Sequence, residues 1–176
     1  EVALATSAAG TKKASEILIE NNQTISVAES SSGGLISSAL LAQPGASKYY
    51  LGGQVIYTAA SIRVLSGMRI RDLKEKKIRS SSEPFALLMA EKVCEIYGSN
   101  WGIGETGAAG PTGNGYGDPP GYSCLAVYGE RETSTHVLTN SNNRRENMEA
   151  FALAALDLFI KKFLNYYFGA LLARIL

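Results

Sequence analysis

The segment Ser26-Val27-Ala28-Glu29-Ser30-Ser31-Ser32-Gly33-Gly34 constrains the fold of this chain more than any other. It reads as a short apolar strand, a hydroxyl-rich turn and two glycines that open an apolar helix. A strand that feeds a helix in this way is an α/β element. The junction offers backbone N–H groups and the positive end of a helix dipole. It also brings the hydroxyls of Ser30, Ser31 and Ser32 together. A small anion, or a carbonyl awaiting attack by a serine, suits such a turn.

The rest of the pattern alternates in the same sense. Residues 1–10 are small and polar without a clear period and read as a loose, flexible arm, with the domain proper over 11–165. Thr11 to about Glu20 carries Ala14, Ile17 and Leu18 on one side and predicts a helix. Thr24–Ala28 predicts the first strand, and Gly33–Ala42 the helix after it, closed by Pro44-Gly45. Gln54–Thr58 reads as a second strand and Ser61–Ser66 as a short helix. Ser81 or Ser82 caps a longer helix, with Glu83-Pro84 in its first turn and Phe85, Leu88, Met89, Val93 and Ile96 as its apolar stripe. Trp101–Gly104 predicts a third strand. Tyr122–Tyr128 and Ser134–Leu138 predict a hairpin, and Asn143 with Glu146 caps the last helix. Strands alternating with helices predict a three-layer αβα sandwich, with a mixed, mostly parallel sheet once the hairpin is included.

Between the third strand and the hairpin, Thr106–Gly121 holds six glycines and three prolines in sixteen residues. That composition continues neither a helix nor a central strand, and long loops in a small domain are usually functional. Glycines and hydroxyls thus recur at three strand ends: Glu29–Gly34, Tyr57-Thr58 and Thr106–Pro111. Ligands collect at the carboxyl ends of strands in open α/β sheets. Each cluster alone reads equally as a helix cap, a packing tyrosine or a plain turn; their recurrence favours a shared cavity.

Composition narrows the chemistry. With 17 basic and 16 acidic residues, no global field draws nucleic acid or a membrane. The basic cluster Lys74, Lys76, Lys77 and Arg79 is broken by Glu75 and reads as a solvated face. Cys94 and Cys124 fit two buried thiols without metal-ligand neighbours. The single histidine, His136, lies on a strand and reads as a packing residue. No apolar run is long enough for a transmembrane segment. A cytoplasmic or other reducing compartment is expected, and a removed N-terminal targeting segment is compatible with it. A serine nucleophile needs a base. No lysine follows Tyr57 until Lys74, and Arg63 stays protonated.

Taken in order, these motifs resemble a known family. Ala28-Glu29-Ser30-Ser31-Ser32-Gly33-Gly34 and Thr106-Gly107-Ala108-Ala109-Gly110-Pro111 are similar to the A-E-S-C-T-G-G and T-G-I-A-G-P signatures of the CinA C-terminal family. Gln54–Thr58 is similar to the family's V-x-Y-S-N-E-A-K stretch, Pro120-Gly121 to its P-V-G, and Arg144 stands at its G-D-R arginine. The likeness covers roughly residues 12–165. It implies a nicotinamide-nucleotide amidase, a hydrolase of pyridine nucleotide metabolism that converts nicotinamide mononucleotide to nicotinate mononucleotide and ammonia without metal or cofactor. By position, Ser30 is the implied nucleophile and Tyr57 its proton partner. Ser31, Ser32, Gly33, Gly34, Thr106, Gly107 and Arg144 are the implied substrate-binding set. The resemblance also implies a homodimer.

The chain departs from the family at the lysine, where Ile62 stands, and at the preceding Asn-Glu, where Ala59 and Ala60 stand. Asn142-Asn143 replace Gly-Asp before Arg144. Three readings follow: an amidase with a substituted base, a pseudoenzyme that binds nucleotide without turnover, or a structural subunit. The apolar extension 166–176 is too short to span a bilayer and is expected to dock on a partner, a dimer mate or the domain itself.

Overall fold

The computed structural model describes the backbone of residues 2–175 and the side chains of residues 9–167. In chain order the elements are α1 (Val2–Glu20), β1 (Ile25–Glu29), α2 (Leu35–Leu41), a short 3-10 turn (Ala46–Lys48), β2 (Tyr50–Val55), α3 (Ala59–Ser66), α4 (Ile70–Glu75), α5 (Glu83–Tyr97), β3 (Trp101–Ala108), β4 (Tyr122–Tyr128), β5 (Thr133–Leu138) and α6 (Arg144–Ile175). The strands form one sheet in the order β2-β1-β3-β4-β5. β1 is parallel to both β2 and β3, and β4 runs antiparallel to β3 and β5. The mixed α/β sandwich expected from the sequence is the fold observed.

All five residues of β1 are buried. A strand flanked on both sides and covered on both faces has no solvent side, so apolar and small residues fill it as far as Ala28, and only Glu29 at its end is charged. On one face α1, α2 and α6 pack Leu18, Ile36, Leu156 and Phe159 against Ile25, Val27, Ile103 and Leu125. On the other, α3, α4 and α5 pack Ile62, Leu65, Leu73, Phe85 and Met89 against Ala28. Helices therefore leave neighbouring strands on opposite faces: β1 feeds α2 on one, β2 feeds α3 on the other. The carboxyl ends of β1 and β2 bound a topological switch point, where a crevice opens in such sheets.

α5 lies against β3 at backbone contact. A Cβ on Gly104 would stand 1.9 Å from the Ala86 carbonyl oxygen, and one on Gly102 would stand 2.1 Å from that of Ala90. Ala86 and Ala90 are fully buried between α5 and β4. The glycine-alternating strand Trp-Gly-Ile-Gly is thus a seat for a helix.

Several boundaries differ from the sequence reading. The backbone is helical from Val2, where the sequence reading expects an arm without a clear period. The alanines there favour helix even without an apolar period. β2 begins at Tyr50 and ends at Val55, four and three residues before the expected limits. Its Gly52-Gly53 pair hides the strand, and the hydroxyls beyond it serve the next helix. Ser61 Oγ accepts the N–H groups of Tyr57 and Thr58, each at 2.9 Å, and the Thr58 hydroxyl accepts that of Ser61. β3 runs on to Ala108, held by antiparallel pairing from Gly102↔Tyr128 to Ala108↔Tyr122. The irregular loop therefore starts at Ala109. α4, unforeseen, occupies part of the basic cluster. At α6, Asn143 Oδ1 accepts the N–H groups of Arg145 and Glu146 at 3.1 and 3.3 Å, as its sequence suggested. The backbone of α6 continues through the expected extension, with Tyr167 stacked on Phe163 at 4.3 Å. The docking role expected of 166–176 falls largely outside the described side chains.

Replacing Gly104 by alanine must push α5 off the sheet. The variant is expected to lose about 2–4 kcal/mol of stability or fail to fold, measured by urea unfolding. A loss under about 0.5 kcal/mol, the size of a surface change, would contradict the packing described.

Candidate functional site

The turn after β1 is organised by two buried carboxylates. Glu29 is fully buried, and Glu105 is 1% exposed. The Glu29 carboxylate accepts the N–H groups of Ile36 (3.0 Å) and Ser37 (2.9 Å) and the Ser37 hydroxyl (2.7 Å). It thereby does the capping that Gly34, at the N-cap of α2, has no side chain to do. The Glu105 carboxylate accepts the N–H groups of Ser30 (3.0 Å) and Ser32 (2.9 Å). It also accepts the hydroxyls of Ser31, Ser32 (2.9 Å) and Ser123 (2.7 Å). The Ser32 hydroxyl lies between the two carboxylates, 2.7 Å from Glu29 Oε2. Gly33 and Gly34 complete the turn with φ of 65° and 98°, a conformation that costs glycine nothing.

This arrangement separates the three serines. Ser31 and Ser32 are 4% and 0% exposed, with their hydroxyls turned inward to carboxylates. Ser30 is half-buried, and its hydroxyl makes no hydrogen bond among the described residues. The N–H groups expected to receive an external anion are in part already taken, since Ser30 and Ser32 donate to Glu105.

At the neighbouring strand end, Tyr57 is 65% exposed. Its phenolic oxygen accepts from Arg144 Nη2 at 3.2 Å, and Arg144 Nη1 donates to the Gly110 carbonyl at 2.6 Å. One guanidinium thus joins the end of β2 to the loop after β3. The same loop is held by Asn147 Nδ2, which donates to the Ala109 carbonyl at 2.8 Å. Further along, Arg79 grips Asp118 with both nitrogens, at 2.7 and 2.9 Å. These bonds from Arg79, with a further one from the Asn114 amide, hold the Asp118 carboxyl below the ordinary carboxylate range.

Thr106 comes to the same sheet end, yet its side chain is 3% exposed and its hydroxyl accepts the Ser81 N–H at 3.2 Å. Successive strand residues face opposite sides, so Glu105 faces the serine turn and Thr106 faces the start of α5. Gly107 has its own structural reason, because a Cβ there would meet the Tyr122 carbonyl oxygen at 2.3 Å. Ile62 is 6% exposed and packs with Ala28, Ile56, Leu65 and Leu73. The structure therefore brings Ser30, Tyr57 and Arg144 to adjacent strand ends. It turns the hydroxyls of Ser31, Ser32 and Thr106 elsewhere.

Sequence reasoning quoted Glu29 without a role and passed over Glu105. The signal was available: an acidic residue inside a strand bound for the core needs donors, and serines are the donors nearby. His136 is exposed on one side, with its ring 5.6 Å from that of Tyr122 and Nδ1 2.9 Å from Glu83 Oε1. This hydrogen bond, with another from Ser134, lowers the Glu83 carboxyl. Cys94 and Cys124 are free and buried, and burial pushes both thiols up. Among the described residues no cluster of three or more His, Cys, Asp or Glu side chains is placed to hold a metal, and no helix is long and apolar enough to cross a membrane.

Comparison with known proteins decides the family. The family model for the CinA C-terminal domain matches residues 8–163. This chain belongs to the CinA C-terminal domain family. It is 34% identical over 146 residues to a Clostridium botulinum (strain Loch Maree / Type A3) protein named for competence and damage induction, covering 83% of this chain and 35% of the relative. A CinA-like protein of Sulfurihydrogenibium sp. (strain YO3AOP1) is 34% identical over 149 residues, covering 82% of this chain and 36% of the relative. The chain thus spans about a third of the length of these curated relatives. Among solved structures, a CinA superfamily protein from Enterobacter cloacae superposes with a TM-score of 0.81 at 26% identity, over 89% of this chain and 92% of that one. The competence/damage-inducible protein of Agrobacterium tumefaciens gives 0.81 at 26%, over 89% and 94%. The CinA signatures read from the sequence are the segments that build the serine turn and the loop it faces.

Two outcomes follow from this geometry. Ile62→Lys places an ammonium in an apolar cluster and is expected to cost about 2–4 kcal/mol, read by urea unfolding; an unchanged midpoint would show that residue 62 has a path to water. Asp118→Asn is expected to cost about 1 kcal/mol at pH 7, since Arg79 is partly exposed. The folded carboxyl titrates below its unfolded value, so this contribution is complete above about pH 4 and fades as pH falls through the folded value. A difference between wild type and variant that grows on acidification would contradict the pairing.

Proposed function

We propose that this CinA domain is a carboxamide hydrolase acting on nicotinamide mononucleotide, with Ser30 as nucleophile and with slow turnover. The observation that carries the reading is the Ser30 hydroxyl. Alone among the turn's three serine hydroxyls it has no partner among the described residues, and it stands at the switch point beside the strand end that carries Tyr57. Ser30 Oγ attacks the carboxamide carbon, and the amide nitrogen leaves as ammonia, carrying the serine proton. Water then attacks the acyl-serine ester, releasing nicotinate mononucleotide and restoring the hydroxyl. Tyr57 accepts a hydrogen bond from Arg144, which leaves its own hydrogen free to donate to the departing nitrogen or the developing oxyanion. Arg144 spends two nitrogens on Tyr57 and Gly110 and keeps further N–H donors for a phosphate.

The slow rate follows from Ile62. The family position for lysine holds an apolar side chain inside the core, so no amine takes the serine proton. The same observation favours a second reading, a pseudoenzyme that binds nucleotide without turning it over. A homodimer, or a partner docked on the C-terminal segment, belongs to the same proposal, and sedimentation would read it. A reducing compartment fits the two free, buried cysteines.

Ammonia release from nicotinamide mononucleotide separates the readings, with Ser30→Ala as the control. The expected turnover lies about 10²–10⁴-fold below the usual 1–10³ per second, the loss typical of a missing general base, and above that of Ser30→Ala. A rate equal to Ser30→Ala, with a melting temperature raised by millimolar nucleotide, would replace hydrolysis by binding. Neither release nor a thermal shift would overturn both.

A further inference from the structure

Glu105 has 1% exposure and no ion pair among the described residues. A carboxylate in that position is tolerable only when donors surround it. Five groups do: the N–H groups of Ser30 and Ser32, the hydroxyls of Ser31 and Ser123, and the Ser32 hydroxyl, whose single hydrogen is shared with Glu29. Convergent N–H and O–H groups of this kind form an anion-binding concavity. Here the anion is part of the chain. The N–H groups come from both sides of Ser31, and the Glu105 main-chain carbonyl takes the Ser30 N–H as well, at 3.1 Å. The direction in which Ser30 presents its side chain is therefore set by residue 105.

We propose that Glu105 is the positioning residue for Ser30: its carboxylate is the internal anion around which the serine turn folds, occupying the cradle that an external oxyanion would otherwise take from the Ser30 and Ser32 N–H groups. The link to turnover rests on the amidase reading above; the internal-anion claim does not. A consequence for the reaction is that the oxyanion needs donors other than these two, and the described candidates are the remaining N–H groups of the turn and the Tyr57–Arg144 pair.

Two variants test this. Glu105→Gln keeps the size of the side chain and turns one acceptor into a donor aimed at donors. It is expected to keep a cooperative melt and to lose at least about tenfold in kcat for ammonia release with KM changed less than about threefold, the signature of a misplaced reacting group; Glu105→Asp is expected to recover part of the loss. Unchanged kcat in a folded Glu105→Gln protein would overturn the positioning role. The second variant, Glu105→Ala, empties the cradle and needs no activity. Its melting temperature is expected to rise with formate concentration and level off, as one site fills, whereas chloride at equal ionic strength should do less and wild type should not respond. If the alanine variant is unfolded in chloride, formate is expected to restore its cooperative melt. An identical response to formate and chloride, or an alanine variant as stable as wild type, would overturn the internal-anion claim. Should wild type itself release no ammonia, the formate experiment still decides that claim while the amidase reading falls.

Discussion

A carboxylate buried with no ion pair among the described residues organises the serine turn. Glu105 reaches from β3 into the turn after β1, where four donors meet it, and Ser123 on β4 supplies a fifth. Glu29 does the same for the first turn of α2, and the Ser32 hydroxyl joins the two. Removing water from either carboxylate costs several kcal/mol unless donors replace it. The serines are therefore first of all the solvation shell of two acids. Of the turn's three serine hydroxyls, that of Ser30 alone has no partner among the described residues.

Around that turn the topology brings several strand ends together. β1 and β2 are parallel neighbours whose following helices leave on opposite faces. Ser30 and Tyr57 begin those two exits. The third wall is the loop after β3, tied down by Arg144 on Gly110, Asn147 on Ala109 and Arg79 on Asp118. α6 supplies both Arg144 and Asn147, so the packing of its Leu156 and Phe159 into the core also fixes the loop. The Gly102 and Gly104 seat for α5 keeps β3, and hence Glu105, in register with β1.

Much of this was legible in the sequence where one local rule dominates. The strand–turn–helix at Ser26–Gly34, the Ser82 cap of α5, the hairpin and the Asn143 cap each follow from short-range chemistry. Illegible were the features set by long-range partners. β2 hides behind Gly52-Gly53, because its strand character comes from pairing with β1 and not from its own side chains. β3 runs past Gly104 because β4 pairs with it. The side on which Thr106 lies depends on where β3 begins its alternation, and that put its hydroxyl under Ser81 rather than in the crevice. The inward turn of Ile62 depends on the register of α3 against α5. Family resemblance supplied Ser30, Tyr57 and Arg144 as a set; only coordinates showed that Glu105 stands behind the first of them.

A crystal structure of this chain with nicotinamide mononucleotide bound tests the account most directly. The account expects the carboxamide carbon about 3–3.5 Å from Ser30 Oγ, a near-attack distance, at the ends of β1 and β2, with Glu105 still holding the N–H groups of Ser30 and Ser32. A nucleotide seated away from Ser30, or one whose oxygen has displaced the Glu105 carboxylate from those two N–H groups, would contradict it.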